Sequence, residues 1–391
     1  MTEEKSLAAA REIMRGFARA TGLTEESLPP RRYLWTDAFA VCTFLELHRQ
    51  DSDRMWLDLA LRLVERVHAV LGRHRSDNRR SGWISGLDEQ EGALHPTAGG
   101  LRIGKGMNER APAEPFDEHK EWDRDGQYYH YLTKWMHALA RVGSVTGEDR
   151  YTRWAIELAK AAHRGFAYLP AHSSGRKRMY WKMSIDLSRP LVPSMGHHDP
   201  LDGLLTFCAL QAARRGTIPA AGLDLGAEIA DLRAMCAGSD WTTDDPLGLG
   251  GLLCDAFRLG QLIRDGSFPE EALLGDLLAA SAAGMDALCA QSPFTLPARY
   301  RLAFREFGLS IGLKAVDRLQ GLMAAHPAQF SDRRRPAAAM ADLREHRQLG
   351  GAIEAFWLAP GNRESSSWQA HRDINEVMLA TSLAPDGFLS L

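Results

Sequence analysis

Acidic residues recur in this chain where apolar, helix-forming stretches begin: Asp37, Asp125, Asp199 with Asp202, Asp244 with Asp245, Glu306 and Asp373. A pair of carboxylates is the usual apparatus of glycoside hydrolysis. One protonates the leaving oxygen and the other activates water. A lone Asp at such a place also has a simpler use as a helix N-cap, contributing about 1 kcal/mol. The neighbours of these acids turn the set toward sugar chemistry. Trp35, Trp122, Tyr128, Tyr129, Tyr131, Trp241, Tyr300 and Trp368 stand beside them. A flat apolar ring with a polar edge suits the C–H faces and hydroxyls of a pyranose, although such rings are also common in cores. Asp125, Asp199, Asp202 and Glu306 are the candidate carboxylates. Trp122, Tyr129 and Trp241 are expected to stack on the sugar, and Asp37 is a candidate contact to it.

A second chemistry is written in the segment Gly196-His197-His198-Asp199-Pro200. Imidazoles at a helix start can act as general acid or base near neutral pH, and Pro200 suits the first turn. The last motif adds His371, Arg372 and Asp373. His197 and His371 are thus both candidates for acid–base work. His198 and Arg372 are candidate substrate contacts. Arg176, Lys177 and Arg178 would bind a carboxylate or phosphate on the substrate, or form an exposed charged turn.

No metal or cofactor is expected. Adjacent histidines seldom both ligate one ion, and the sequence shows no Cys/His set at metal spacing. Gly99–Gly106 is glycine-rich but lacks the spacing of a phosphate-binding loop. The GxSxG turn of a serine nucleophile is absent.

These residues must be positioned by a repeated element. The stretches beginning at Trp35, Trp122, His197, Trp241, Tyr300 and Trp368 share one pattern, an acidic turn followed by an apolar helical run. Amphipathic segments lie between them, at 4–20, 53–72, 149–168, about 221–237, 269–290 and 337–357. No such hairpin buries its apolar face alone, and six of them are the number needed to close a ring. The expected fold is therefore all-α, an (α/α)6 toroid spanning 1–391 as one domain. Insertions are expected at about 73–121 and 169–196, the second with a short strand pair between Met179 and Leu187. Connections this long in a compact domain are usually functional, and both precede an inner helix, so they should wall one rim.

Composition narrows the function classes. The chain has 391 residues, 45% hydrophobic and 25% charged, with a formal net charge of -3, which gives no basic field for nucleic acid. The run from Arg333 to Arg335 reads as a solvated stretch. The five cysteines are scattered in apolar helical patterns and read as reduced and buried. The N-terminus has neither part of a signal peptide, and no uninterrupted apolar run reaches the roughly 20 residues of a membrane span. A cytoplasmic protein acting on a carbohydrate is the expectation, with no membrane or nucleic-acid partner. No pattern specifies an oligomeric state.

On its motif periodicity the chain resembles the six-hairpin glycosidase-like superfamily, whose members include inverting glycoside hydrolases, unsaturated uronyl hydrolases and the N-acylglucosamine 2-epimerase group. The resemblance implies an active site at the rim where inner helices begin. GHHDPLDGLL from Gly196 is similar to the stretch that opens an inner helix in the epimerases, with His197 at the position of a proton-transfer His and His371 as the match for the second. WDRDGQYYHY from Trp122 is similar to the hydrolases, with Asp125 at the position of the acid/base. Three functions follow as expectations: a glycoside or unsaturated uronyl hydrolase first, an epimerase or isomerase second, and a toroid that binds a glycan or protein without turnover third.

Overall fold

The computed structural model describes residues 2–24, 31–171, 175–214, 222–331 and 334–391, without the side chains of 334 and 335. The basic run from Arg333 to Arg335 lies outside the described side chains. The fold is all-α, as the periodicity predicts; the described strands are two or three residues long.

In chain order the helices are α1 (Glu3–Ala20), α2 (Leu34–Asp51), α3 (Arg54–Leu71), α4 (Glu89–Leu94), α5 (Glu118–Asp123), α6 (Tyr129–Thr146), α7 (Asp149–Phe166), α8 (Asp199–Ala213) and α9 (Gly226–Cys236). Then come α10 (Pro246–Arg264), α11 (Glu271–Ala290), α12 (Ala303–Ala325), α13 (Arg334–Glu345), α14 (Arg347–Leu358), α15 (Pro360–Arg363), α16 (Ser366–Ala370) and α17 (Arg372–Leu383). The segment expected as one helix at 337–357 is two, divided at His346. The motif at Trp122 starts its helix late: Trp122 lies in α5, and α6 begins only at Tyr129.

The chain forms two compact units. One comprises Met1–Phe17, Glu46–Asp53 and Gly238–Leu391; the other, here the N-proximal unit, comprises Ala18–Leu45 and Arg54–Ala237. Within the N-proximal unit α6 pairs with α7 and α8 with α9, while α6 also packs on α8 and α3. Within the other unit α10 pairs with α11, and α12 packs against α10, α13, α14 and α17. The helices of the motif stretches are buried nearly all round, as α10 is from Leu249 to Ile263. The intervening ones bury one face, as α3 does with Trp56, Ala60, Leu63, Val67 and Leu71. Helix α11 has the length and hydropathy of a membrane span, yet it packs on α10 and α13 with Leu274, Leu277, Leu278, Met285 and Leu288 buried.

The α10–α12 contact depends on backbones touching. A Cβ added at Gly250 would stand 2.1 Å from the Gly308 carbonyl oxygen. One turn face away, Gly251 has open space around it. Gly250→Ala should therefore cost about 1–3 kcal/mol through overpacking, whereas Gly251→Ala should be neutral or stabilise by up to about 1 kcal/mol through helix propensity. Parallel urea titrations of the two variants check this; equal midpoints would mean that the helices part easily.

Two small sheets order the long connections of the N-proximal unit. Strand β1 (Gln127–Tyr128) pairs antiparallel with β4 (Lys182–Met183), which pairs antiparallel with β5 (Pro190–Val192). Strand β2 (Ala167–Tyr168) pairs with β3 (Arg178–Met179). The two insertions are thus tied to each other and to the start of α6, into which β1 runs directly. Lys182, fully buried, donates to the Glu121 carboxylate at 3.0 Å and to the carbonyls of Glu121 and Arg124. The Gln127 amide bridges Leu101 N–H and the Ile185 carbonyl.

Candidate acid–base site

Helices α6 and α8 are mostly buried, yet each carries a polar stripe. On α6 the stripe is His130, Thr133 and Lys134; on α8 it is Asp199, Asp202 and Thr206. Spacings of three and four place each set on one helix face. Packing of α6 on α8 brings the stripes together. The Lys134 ammonium lies 2.7 Å from Asp202 Oδ1, and the Thr133 hydroxyl donates to Asp202 Oδ2. His130 Nδ1 lies 3.7 Å from Asp199 Oδ1.

Asp202 is therefore satisfied, whereas Asp199 is not. The Asp199 residue is only 6% exposed, and its Oδ2 has no hydrogen-bond partner. Burial, reinforced by the negative charge of Asp202 and opposed by Lys134, pushes its carboxyl up to about 7. A carboxyl so shifted still carries a proton to give near neutral pH. Beside it, burial and then Lys134 push the His130 imidazole down to about 4, so that ring is neutral at pH 7. Its Nδ1 is buried and also lacks a hydrogen-bond partner, while 26% of the side chain as a whole remains exposed. The Tyr129 hydroxyl is a third buried polar group without a partner. Burial and the charges of Asp202 and Asp199 hold it well above the ordinary phenol range. Buried polar groups are ordinarily hydrogen-bonded, so these three have capacity left for a further partner.

Local sequence explains the placement of Asp199. Pro200 stands in the first turn of α8. A Cβ at Gly196 would meet the Asp199 carboxylate at 2.3 Å, and one at Gly203 would meet the Tyr129 hydroxyl at the same distance. Both glycines leave room for these buried polar groups.

An aromatic wall adjoins the acid–base pair. The His130 ring stacks on Tyr128 at 5.5 Å and runs parallel to Trp181 at 6.3 Å. Tyr131 is 4.8 Å from His130 and 5.3 Å from Trp35. The Tyr33 and Tyr131 hydroxyl oxygens are 2.6 Å apart. Trp122 is 49% exposed and meets Trp181 edge-on at 5.4 Å, a position suited to stacking on a sugar.

Several expected site residues have other uses. Asp125 is fully buried and not at a helix start. It accepts Arg102 NH1 at 2.5 Å and the N–H groups of Gly104 and Gly126, with Arg75 at 3.4 Å. A carboxylate enclosed this way anchors the loop around Gly104 instead of opening a helix, where the motif places it. Glu306 is likewise gripped by the Arg301 fork at 2.8 and 2.6 Å and by Trp357 Nε1 at 2.8 Å. Asp37 is buried against Arg32 and accepts Tyr33 N–H. Asp245 caps α10 through Gly248 N–H, and Asp244 accepts Gln291.

The remaining candidates are spread out. Tyr129 packs against Phe166 and is fully buried, so it presents no ring face to a ligand. Trp241 is buried. His197 is exposed, with the His198 ring 4.5 Å away at the N-cap of α8. His371, in the other unit, is an exposed N-cap residue of α17 with its ring 5.5 Å from Phe304. Arg372 pairs with Glu376 within its own helix. Arg176 donates to the Met235 carbonyl at the end of α9.

His130, Lys134 and Trp181 were not singled out as site residues in the sequence reading. The available signal was polar side chains three and four apart, His130, Thr133 and Lys134, in the first turns of a largely apolar helix. Among the described residues no group of three or more His, Cys, Asp or Glu is arranged to hold a metal ion.

No protein-family model matches the chain, and no curated protein does. Among solved structures the chain is similar to cellobiose 2-epimerase from Spirochaeta thermophila DSM 6192, with 11% identity and a TM-score of 0.48 over 89% of this chain and 86% of that one.

Proposed function

We propose that this chain is a carbohydrate-active enzyme that moves a proton on a sugar, an epimerase or isomerase, with Asp199 as the acid and His130 as the base. One observation carries the reading: a carboxyl shifted to about 7 stands 3.7 Å from an imidazole shifted to about 4. At neutral pH the first has a proton to donate and the second a lone pair to accept one. The His130 imidazole takes the proton from the carbon beside the sugar carbonyl as Asp199 protonates the carbonyl oxygen, giving an enediol. His130 then returns its proton as Asp199 regains one from an enediol hydroxyl: to the opposite face once the enediol has turned over the imidazole, giving the epimer, or to the neighbouring carbon, giving the isomer. Trp122, Trp181 and Tyr128 offer faces for the ring. This pair replaces His197 and His371 in the proton-transfer role.

Hydrolysis is the second reading. The coupling of Asp199 to Asp202 favours it, since glycosidases use paired carboxylates. Both Asp202 oxygens are already engaged by Lys134 and Thr133, which leaves it poorly placed to activate water.

The two readings separate in D2O. The proton-transfer reading expects deuterium on the carbon beside the carbonyl of an uncleaved sugar. It also expects kcat/KM to follow a bell, rising near pH 4 as His130 loses its proton and falling near pH 7 as Asp199 does. Cleaved glycan without carbon-bound deuterium would establish hydrolysis instead, and a rate that stays flat to pH 9 would remove Asp199 as the acid.

A further inference from the structure

A part-buried amine lies at the edge of the aromatic wall, unused by the acid–base pair. The Lys105 Nζ sits over the Tyr33 ring, 5.6 Å from its centroid. Among the described residues nothing hydrogen-bonds or ion-pairs with it, although Lys182, Lys134 and Arg102 nearby are all paired. Burial lowers its pKa, with the charges of Asp123 and Asp125 opposing that effect. An ammonium partly removed from water with no carboxylate in direct contact has donors left for an anion.

The loop that carries Lys105 is clamped on both sides. Arg75 donates to the carbonyls of Lys105 at 2.5 Å and Gly106 at 2.9 Å, and Gly104 N–H donates to Asp125 at 3.0 Å. Gly104 has φ +94°, and a Cβ there would meet the Arg32 carbonyl oxygen at 2.2 Å. The buried cluster of Asp125, Arg102 and Arg75 thus holds the Lys105 backbone in place. Tyr33, beneath Lys105, leads through the Tyr33–Tyr131 hydroxyl contact to Tyr131, and Tyr131 touches His130.

From this juxtaposition we infer that Lys105 over Tyr33 is a subsite for an anionic group, carboxylate or phosphate, carried by the sugar that Asp199 and His130 act on. The inference rests on the proposed sugar chemistry and adds the substrate class. Tyr33 supplies an apolar face for the sugar body while the ammonium pairs with the anion.

Calorimetric titration of the intact protein with glucose, glucuronate, glucose 6-phosphate and inorganic phosphate tests it. One of the two anionic sugars should bind at least tenfold more tightly than glucose, and which one identifies the anion. Lys105→Met should abolish that preference without weakening glucose, and Lys105→Arg should keep it; unchanged melting of both variants shows that the loop is intact. Equal affinity for glucose and both anionic sugars would overturn the subsite and leave the sugar enzyme standing. A preference that survives Lys105→Met would overturn it as well. Inorganic phosphate binding as tightly as glucose 6-phosphate, with no sugar bound, would overturn this inference and the sugar reading together.

Discussion

Asp199→Asn is expected to reduce turnover about a thousandfold, the scale of a lost general acid, while the protein stays folded. Asn copies the shape of the neutral carboxyl but cannot donate the proton. The same substitution should change how stability depends on pH. In the folded chain Asp199 holds its proton up to about 7, whereas its ordinary value is 3.8. Between these values the folded state binds a proton that the unfolded chain has released, so wild-type stability falls as pH rises through this window and levels off above it. A rise of that size corresponds to on the order of 4 kcal/mol for a group this buried. The Asn variant lacks the penalty. It should be the more stable protein at pH 8, and the gap should close toward pH 4. Urea denaturation at both pH values checks the sign; a gap that does not change would mean that Asp199 is ionised in the folded state.

Asp125→Asn should act in the opposite way, by weakening the fold. The carboxylate is fully buried between Arg102 and Arg75 and accepts two backbone N–H groups. Asn can keep the backbone bonds but leaves buried guanidinium charge uncompensated. Removing one partner of such a pair costs about 3–5 kcal/mol. Turnover of a neutral sugar per folded molecule should fall less than tenfold, because no ligand reaches this side chain. Replacing Arg102 and Asp125 together by Met and Leu should recover part of the loss, since an apolar pair leaves no buried charge at that contact. If Asp125→Asn unfolded at the wild-type urea concentration yet lost all turnover, the acid would be catalytic after all, as its place in the motif suggests.

The two acids show what can be read without a structure. Both stand in copies of the same motif, and local pattern does not separate them. Asp125 finds its guanidinium partner 23 residues away in the first insertion. For Asp37 and Glu306 a signal did exist. Each has a buried Arg five residues earlier, Arg32 and Arg301, and each is engaged by it. An Arg at that offset before a helix-start acid marks an anchor here, and this could have set these two apart from Asp199.

What the sequence determined by itself is the set of helices, because helix formation reads the spacing of apolar residues within a few turns. The motif helices from Leu34, Asp199, Pro246, Ala303 and Arg372 lie where the periodicity puts them, as do the partners between them except 337–357, which is two helices. The sequence drew attention to the start of α8 through His197 and His198, beside Asp199. Only the tertiary structure separated a carboxyl with a raised pKa, Asp199, from one held as an anchor, Asp125. That choice depends on desolvation and on the nearest charge, and both are set by side chains brought from other elements: Lys134 and His130 from α6 against α8, and Arg102 from the first insertion against Asp125.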